Sequence, residues 1–204
     1  MDEHDASRAS TAAERARWLP RAAQEAGSLD RAVYSAVADT PTPSLDRALS
    51  RLSRAADYSR LSIASAVVLC VTEGRRGREA ARMGLASVVV TSTVLNLGVK
   101  PLVRRRRPDR VAEDVPLARQ VRMPTSTAFP SGHSAAAFAF ATGVGQVLPT
   151  AAFPLRALAA LVAYSRVHTG VHYPGDVLAG ALLGGALAQA TTHALAGRDS
   201  RRRS

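Results

Sequence analysis

The chain has 204 residues, 47% of them hydrophobic, and 27 basic against 16 acidic side chains give a formal net charge of +11. Such a balance suits a nucleic acid or an anionic membrane surface. With 4% aromatic residues, no zinc-ligand spacing and basic blocks set between apolar runs, nucleic acid is set aside and a bilayer or an anionic lipid is favoured.

Residues 1–28 read as a flexible or loosely helical tail, in which Thr11 and Glu14 have capping-box spacing, Trp18 is the only tryptophan and Pro20 interrupts the stretch. The start, Met-Asp-Glu-His-Asp, is acidic and no apolar run follows, so no signal peptide is expected and membrane insertion falls to internal segments. Residues 29–57 predict two short amphipathic helices split by Thr40-Pro-Thr-Pro43. In the second, Leu45, Ala48, Leu49, Leu52 and Ala56 share one face, Arg47, Arg51 and Arg54 lie off it, and Ser44 is expected as the N-cap. A basic amphipathic helix ahead of an apolar run fits a membrane interface.

Five apolar segments follow, at about 58–73, 82–100, 133–149, 152–167 and 177–196. A span needs roughly 20 residues, which the second, third and fifth approach directly. The first and fourth reach it if Arg60 and Arg156 snorkel to the interface. Gly180-Ala-Leu-Leu-Gly184 has the small-xxx-small spacing that lets membrane helices approach closely. Cys70, the single cysteine, lies in the first segment as a packing residue. The predicted fold is all-α: an integral-membrane bundle of about five transmembrane helices over residues 58–197, preceded by the amphipathic segment and followed by a basic tail, 198–204. The Gly74-to-Glu79 loop, a Pro149–Pro154 turn and the C-terminal tail then share one face. The N-terminal region, the 100–132 loop and the 166–176 loop share the other.

Three segments on that second face carry chemistry. They are Lys100 to Arg107-Pro108, Pro130-Ser-Gly-His133, and Ser165-Arg166 through His172 to Asp176, and Lys100 is the only lysine in the chain. A phosphoryl group in transfer spreads negative charge over its equatorial oxygens, so a site for it must hold and stabilise that charge. Arg107 and Arg166 offer planar forks of donors and Lys100 a compact charge. Ser131 and Gly132, just ahead of an apolar helix, offer a hydroxyl and free backbone N–H groups at a helix N-terminus. His172 and Asp176 are four apart, so the carboxylate can fix the imidazole tautomer and leave the other nitrogen free to attack phosphorus. Pro174 disfavours a regular helix across that stretch, and a turn with Asp176 as N-cap is an equivalent arrangement. His133, from a separate segment, is the candidate general acid for the leaving oxygen and later the base for water.

On these residues the chain resembles the type 2 phosphatidic acid phosphatase superfamily, which also includes vanadium haloperoxidases and glucose-6-phosphatases. The family pattern, K-x6-RP, PSGH and SR-x5-H-x3-D, is met without departure, and the resemblance covers roughly residues 45–196. It implies His172 as nucleophile, His133 as acid and Asp176 as the partner of His172. Lys100, Arg107, Ser131, Gly132 and Arg166 would bind phosphate. It also implies hydrolysis of a lipid phosphomonoester or diphosphate without a metal or other cofactor. His168 lies inside the third motif without a defining role. Two other readings are a vanadate-dependent haloperoxidase and a non-catalytic basic lipid-binding module. The positive-inside rule applied to Arg75, Arg76, Arg78 and the tail places the protein in the cell membrane, multi-pass, with the site facing outward.

Overall fold

The computed structural model describes residue 21 and residues 23–201. The Thr11/Glu14 spacing, Trp18 and Pro20 fall outside them. Helix α1 occupies residues 23–39 and α2 Pro43–Ala55, with the break at 40–42. A 3-10 turn, Asp57–Ser59, leads into α3, Arg60–Thr72. Helix α4, Gly74–Thr93, continues through a π-helical stretch, Val94–Val99, into a short α5, Lys100–Leu102. After a long loop come α6, Gly132–Val147, α7, Pro149–His168, and α8, Pro174–Arg201. No strand occurs among the described residues.

The helix ends differ from the sequence expectation for local reasons. Gly74, at φ +56°, makes the α3–α4 corner alone, so the arginines expected in a loop ride on the first turns of α4. There Gly77, Ala80, Ala81 and Gly84 turn inward while Arg75, Arg76, Arg78 and Arg82 stay exposed. The expected Pro149–Pro154 turn is likewise helix, because proline is preset for a first helical position and Pro149 starts α7. In α2 the N-cap position belongs to Thr42, with Pro43 first in the helix, and Ser44 lies inside it.

Helix α6 is the axis of the bundle and packs against α4, α7 and α8, while α3 lies on α4. One core joins Ala66, Ala80, Ala81, Val88, Phe140, Val144 and Leu148 from α3, α4 and α6. On the opposite side of α6, Gly180 and Gly184 of α8 face the backbone oxygens of Ser131 and Ala135, where a Cβ would collide. The small-xxx-small spacing therefore brings α8 against the start of α6, where Pro130-Ser-Gly-His133 lies. Among the described residues, the Gly74–Leu102 helix, 29 residues long, is apolar enough to cross a membrane by itself. The pair Pro43–Ala55 and Asp57–Thr72, bent by 67°, qualifies only when taken together.

Helix α2 keeps Leu49 buried and Arg47, Arg51 and Arg54 exposed, and part of the face it buries is polar. Its buried residues are Asp46, Leu49, Ser50 and Ser53, whereas Leu45 and Ala48 are exposed. The surface it covers is polar. Asp46 Oδ1 accepts from Arg119 Nε at 2.8 Å and lies 3.1 Å from His168 Nε2. Ser50 donates to the carbonyl oxygens of Ala118 and Arg119 at 2.9 and 3.2 Å. Arg119, almost wholly buried, also donates to the Val37, Ala38 and Thr40 carbonyls. A buried guanidinium is tolerated only when paired and hydrogen-bonded, and α2 supplies the carboxylate. This cluster fixes the α1–α2 hairpin, the long loop and the end of α7 to one another, and gives His168 a structural place.

Candidate active site

All three motif segments lie at the same end of the bundle. The first begins where the π-helical stretch of α4 hands over to α5. π-Helical insertions in α-helices are frequent at functional sites. Lys100 Nζ donates to Asn96 Oδ1 at 3.0 Å, and a Cβ on Gly132 would lie 3.4 Å from that nitrogen. The lone lysine thus stands over the backbone at the N-terminus of α6, where helix N–H groups and a cation together favour an anion.

From Val103 the chain is extended, and Pro108 helps keep Arg107 so. Side chains then alternate: Arg104 and Arg106 are exposed, Arg105 and Arg107 turn inward. Arg107 donates to Ser126 O at 3.0 Å and to Val171 O at 2.8 Å, and its Nη1 lies 3.2 Å from His172 Nε2. Arg105 donates to Asp176 Oδ1 at 2.9 Å, pairs with Asp30 of α1, and lies over the Tyr173 ring. The sequence reading singled out Arg107 alone. Strand-like alternation back from Arg107 was the signal for Arg105.

In the second segment the Ser131 hydroxyl is the N-cap of α6, accepting from Ser134 N at 3.5 Å and Ser134 Oγ at 3.1 Å. Ser131 N donates to Asp176 O at 2.9 Å, so this segment is tied to the start of α8. His133, in the first turn of α6, places Nε2 2.8 Å from Asp57 Oδ1.

The third segment ends α7 and begins α8. Arg166 is 1% exposed, donates to Ser53 Oγ at 2.6 Å and lies 3.8 Å from Asp57 Oδ1, while its Nε has no protein partner. His172 sits in the turn after α7, and its backbone N–H donates to Arg166 O at 3.2 Å. Pro174 is the first residue of α8, so Asp176 is not the N-cap but lies within the first turn. There its Oδ2 accepts from Tyr173 N at 2.9 Å, the reciprocal half of a capping box. The same oxygen is 3.5 Å from His172 Nδ1, which has no hydrogen-bond partner among the described residues.

Burial pushes the His172 imidazole down to about 4; Asp176 opposes that shift, and Arg107 and Arg166 add to it. The ring is therefore neutral near pH 7. With Nδ1 directed at Asp176, Nε2 presents its lone pair beside Arg107. A cavity of about 180 Å³ is lined by Lys100, Gly132 and His133 on one side and by Tyr58, Thr91 and Leu95 on the other. A second, of about 350 Å³, is lined by Asp57, Tyr58, Arg122, Ser126 and His133. Among the described residues no group of three or more His, Cys, Asp or Glu side chains is placed to hold a metal ion.

The structure thus brings His133, Arg166, Arg107, His172 and Asp176 into one linked cluster, with Lys100 and Gly132 at its edge. Asp30, Ser53 and Asp57 also belong to it and carried no local signal. Their partners are 75, 113 and 76 residues away in sequence.

Comparison with known proteins finds relatives of this chain. The decaprenylphosphoryl-5-phosphoribose phosphatase of Mycobacterium tuberculosis is 41% identical over 90 residues, covering 42% of this chain and 45% of that protein. The undecaprenyl-diphosphatase of Sulfolobus acidocaldarius is 46% identical over 65 residues, 30% of either chain. The matched region thus spans less than half the length of these curated relatives. The crystal structure of Aquifex aeolicus LpxE superposes with a TM-score of 0.64 at 27% identity, covering 80% of this chain and 94% of that one. A transmembrane PAP2-type phosphatidylglycerolphosphate phosphatase from Bacillus subtilis gives 0.60 at 24% identity over 87% of each chain, a likeness of fold. The sequence profile of the PAP2 superfamily matches residues 81–199, more than half of the chain and all three motif segments, and the chain belongs to that superfamily.

Proposed function

We propose that the protein is a multi-pass phosphatase of the cell membrane. It would hydrolyse a phosphomonoester or diphosphate borne by a lipid, through a phosphohistidine intermediate. The observation that carries this reading is a buried His172, its Nε2 beside Arg107 and its Nδ1 towards Asp176, at the same end of the bundle as a second histidine, His133 of α6. Lys100, Arg107, Arg166 and the N-terminus of α6 hold the phosphoryl oxygens. His172 Nε2 forms the P–N bond as the bond from phosphorus to the lipid oxygen breaks, and His133 gives its proton to that oxygen. Water then returns a proton to His133 as its oxygen attacks phosphorus; the P–N bond breaks and phosphate leaves. The names of the two curated relatives favour a polyprenyl chain over a diacylglycerol as the lipid part.

The test is phosphate release by the purified protein from a panel holding phosphatidic acid, phosphatidylglycerol phosphate and polyprenyl phosphates and diphosphates. His172→Ala is the blank. A polyprenyl-linked phosphate is the expected best substrate, with turnover abolished in His172→Ala and reduced ~10²–10⁴-fold in His133→Ala. Near-normal turnover in either variant would overturn the assigned roles.

A further inference from the structure

Asp57 belongs to none of the three motifs, yet it touches two of them. Its Oδ1 lies 2.8 Å from His133 Nε2 and 3.8 Å from Arg166 Nη1. The backbone that presents it is unusual. Tyr58 and Ser59, the next two residues, have φ of +56° and +57°, although neither is glycine. Consecutive left-handed residues with side chains are strained, and such strain persists where the surroundings over-determine it. Here it makes the 67° bend between α2 and α3, and the bend aims the carboxylate at His133. Ser53, one turn earlier on α2, holds Arg166 from the same side.

We infer that Asp57 is a positioning residue for His133: it accepts the Nε2 proton, fixes the ring and keeps that proton at the mouth of the pocket for the leaving oxygen. This rests on the phosphatase reading and adds a residue to it. The pair stands between the two cavities, with His133 and Tyr58 in the walls of both. The charges that face it are Arg166 from α7, Lys100 from α5 and Arg122 from the long loop. In the first step His133 enters as the imidazolium paired with Asp57, and its Nε2 proton passes to the departing lipid oxygen as the P–O bond breaks, which leaves a neutral imidazole. In the second, water restores it to the same nitrogen, and Asp57 again accepts it.

A residue acting through the general acid matters in proportion to how much the leaving group needs a proton. An alkoxide leaves poorly without one; a nitrophenolate leaves without help. The experiment compares wild type, Asp57→Asn and Asp57→Glu on a lipid phosphate and on p-nitrophenyl phosphate, with kcat and KM separated. Thermal unfolding in detergent checks that each variant is folded. The expected result for Asp57→Asn is a ~30-fold or greater fall in kcat on the lipid phosphate, less than ~3-fold on the aryl phosphate, and partial recovery in Asp57→Glu. An equal fall on both substrates would mean that Asp57 only supports the fold. A lower KM with unchanged kcat would mean that its carboxylate merely occupies the phosphate donors; either result overturns the inference. If the wild type hydrolyses neither substrate, the phosphatase reading fails, and this inference with it.

Discussion

At the scale of single residues, the arginine run 104–107 shows how identical side chains acquire different work from the backbone alone. Extended geometry sends alternate residues to opposite sides, so Arg105 and Arg107 face the site and Arg104 and Arg106 face away. Arg105 then meets the carboxylate of Asp176 and, through Asp30, the helix 23–39. Asp30 also accepts from Gly175 N, so α1 grips the first turn of α8 at two points. Asp176 has one oxygen on Arg105 and the other shared between Tyr173 N and the His172 side. Removing the guanidinium would let that carboxylate rotate away from Nδ1. We expect Arg105→Gln to lower kcat ~10–100-fold with little change in KM, because a misplaced reacting group is penalised at the transition state. Arg104→Gln, one residue away on the exposed side, should behave as wild type in the same steady-state assay. Equal effects of the two substitutions would mean that the run acts only as a block of charge.

At the scale of elements, what was legible in the sequence is what is local. The helices α3, α4, α6, α7 and α8 follow from apolar segments of helical length, and the motif segments fall at their ends. The polar part of the buried face of α2 was not legible, because apolar periodicity does not report which polar residues will be buried beside it. Here the neighbours of α2 are Arg119, Arg166 and His168, so Asp46, Ser50 and Ser53 are the stripe that satisfies them. Nor could sequence show Asp57 or Asp30 at the site, since each reaches its partner only after the bundle has assembled. The close approach of α8 to a neighbour was legible, its partner α6 was not, and the contact makes a sharp test. A Cβ on Gly184 would collide with the Ala135 backbone, whereas one on Gly185 would meet only Thr142 Oγ1 at 3.8 Å. Alanine gains about 1 kcal/mol over glycine in a helix interior. Gly185→Ala should therefore raise the unfolding temperature or leave it unchanged. Gly184→Ala should lower it, as overpacking at a helix contact costs about 1–3 kcal/mol. Thermal unfolding of the two variants in detergent separates packing from propensity; equal shifts would show that α8 does not seat on α6 as described.

At the scale of the whole molecule, the helices run in alternate directions and sort their ends. Arg76 Nη2 donates to Val147 O at 3.4 Å, which places the α3–α4 corner beside the end of α6, away from the motif segments. Both ends carry arginine, and the site end holds several of its own in ion pairs and hydrogen bonds. At the site end, Arg105, Arg107, Arg110 and Arg119 are bound to carboxylates or backbone carbonyls. At the far end, Arg75, Arg76, Arg78 and Arg82 are all exposed, as Arg104 and Arg106 are at the site end. An excess of Lys and Arg close to the ends of spans favours the cytoplasmic side. We propose on that ground that the far end lies inside and the active site outside. The span lengths make this worth measuring, because α6 has 16 residues. At ~1.5 Å per residue it is about 24 Å long, against roughly 30 Å of hydrocarbon. Single cysteines in a Cys70→Ser background report both orientation and crossing. Arg75→Cys, at the far end, should resist a membrane-impermeant maleimide in intact cells and react once they are permeabilised. Leu117→Cys, on the long loop and 85% exposed in the wild type, should react without permeabilisation. The opposite pattern would turn the active site to the cytoplasm while keeping the spans. Equal labelling of both positions in intact cells would mean that α3 and α4 do not separate the two ends across the bilayer, and the multi-pass reading would fall.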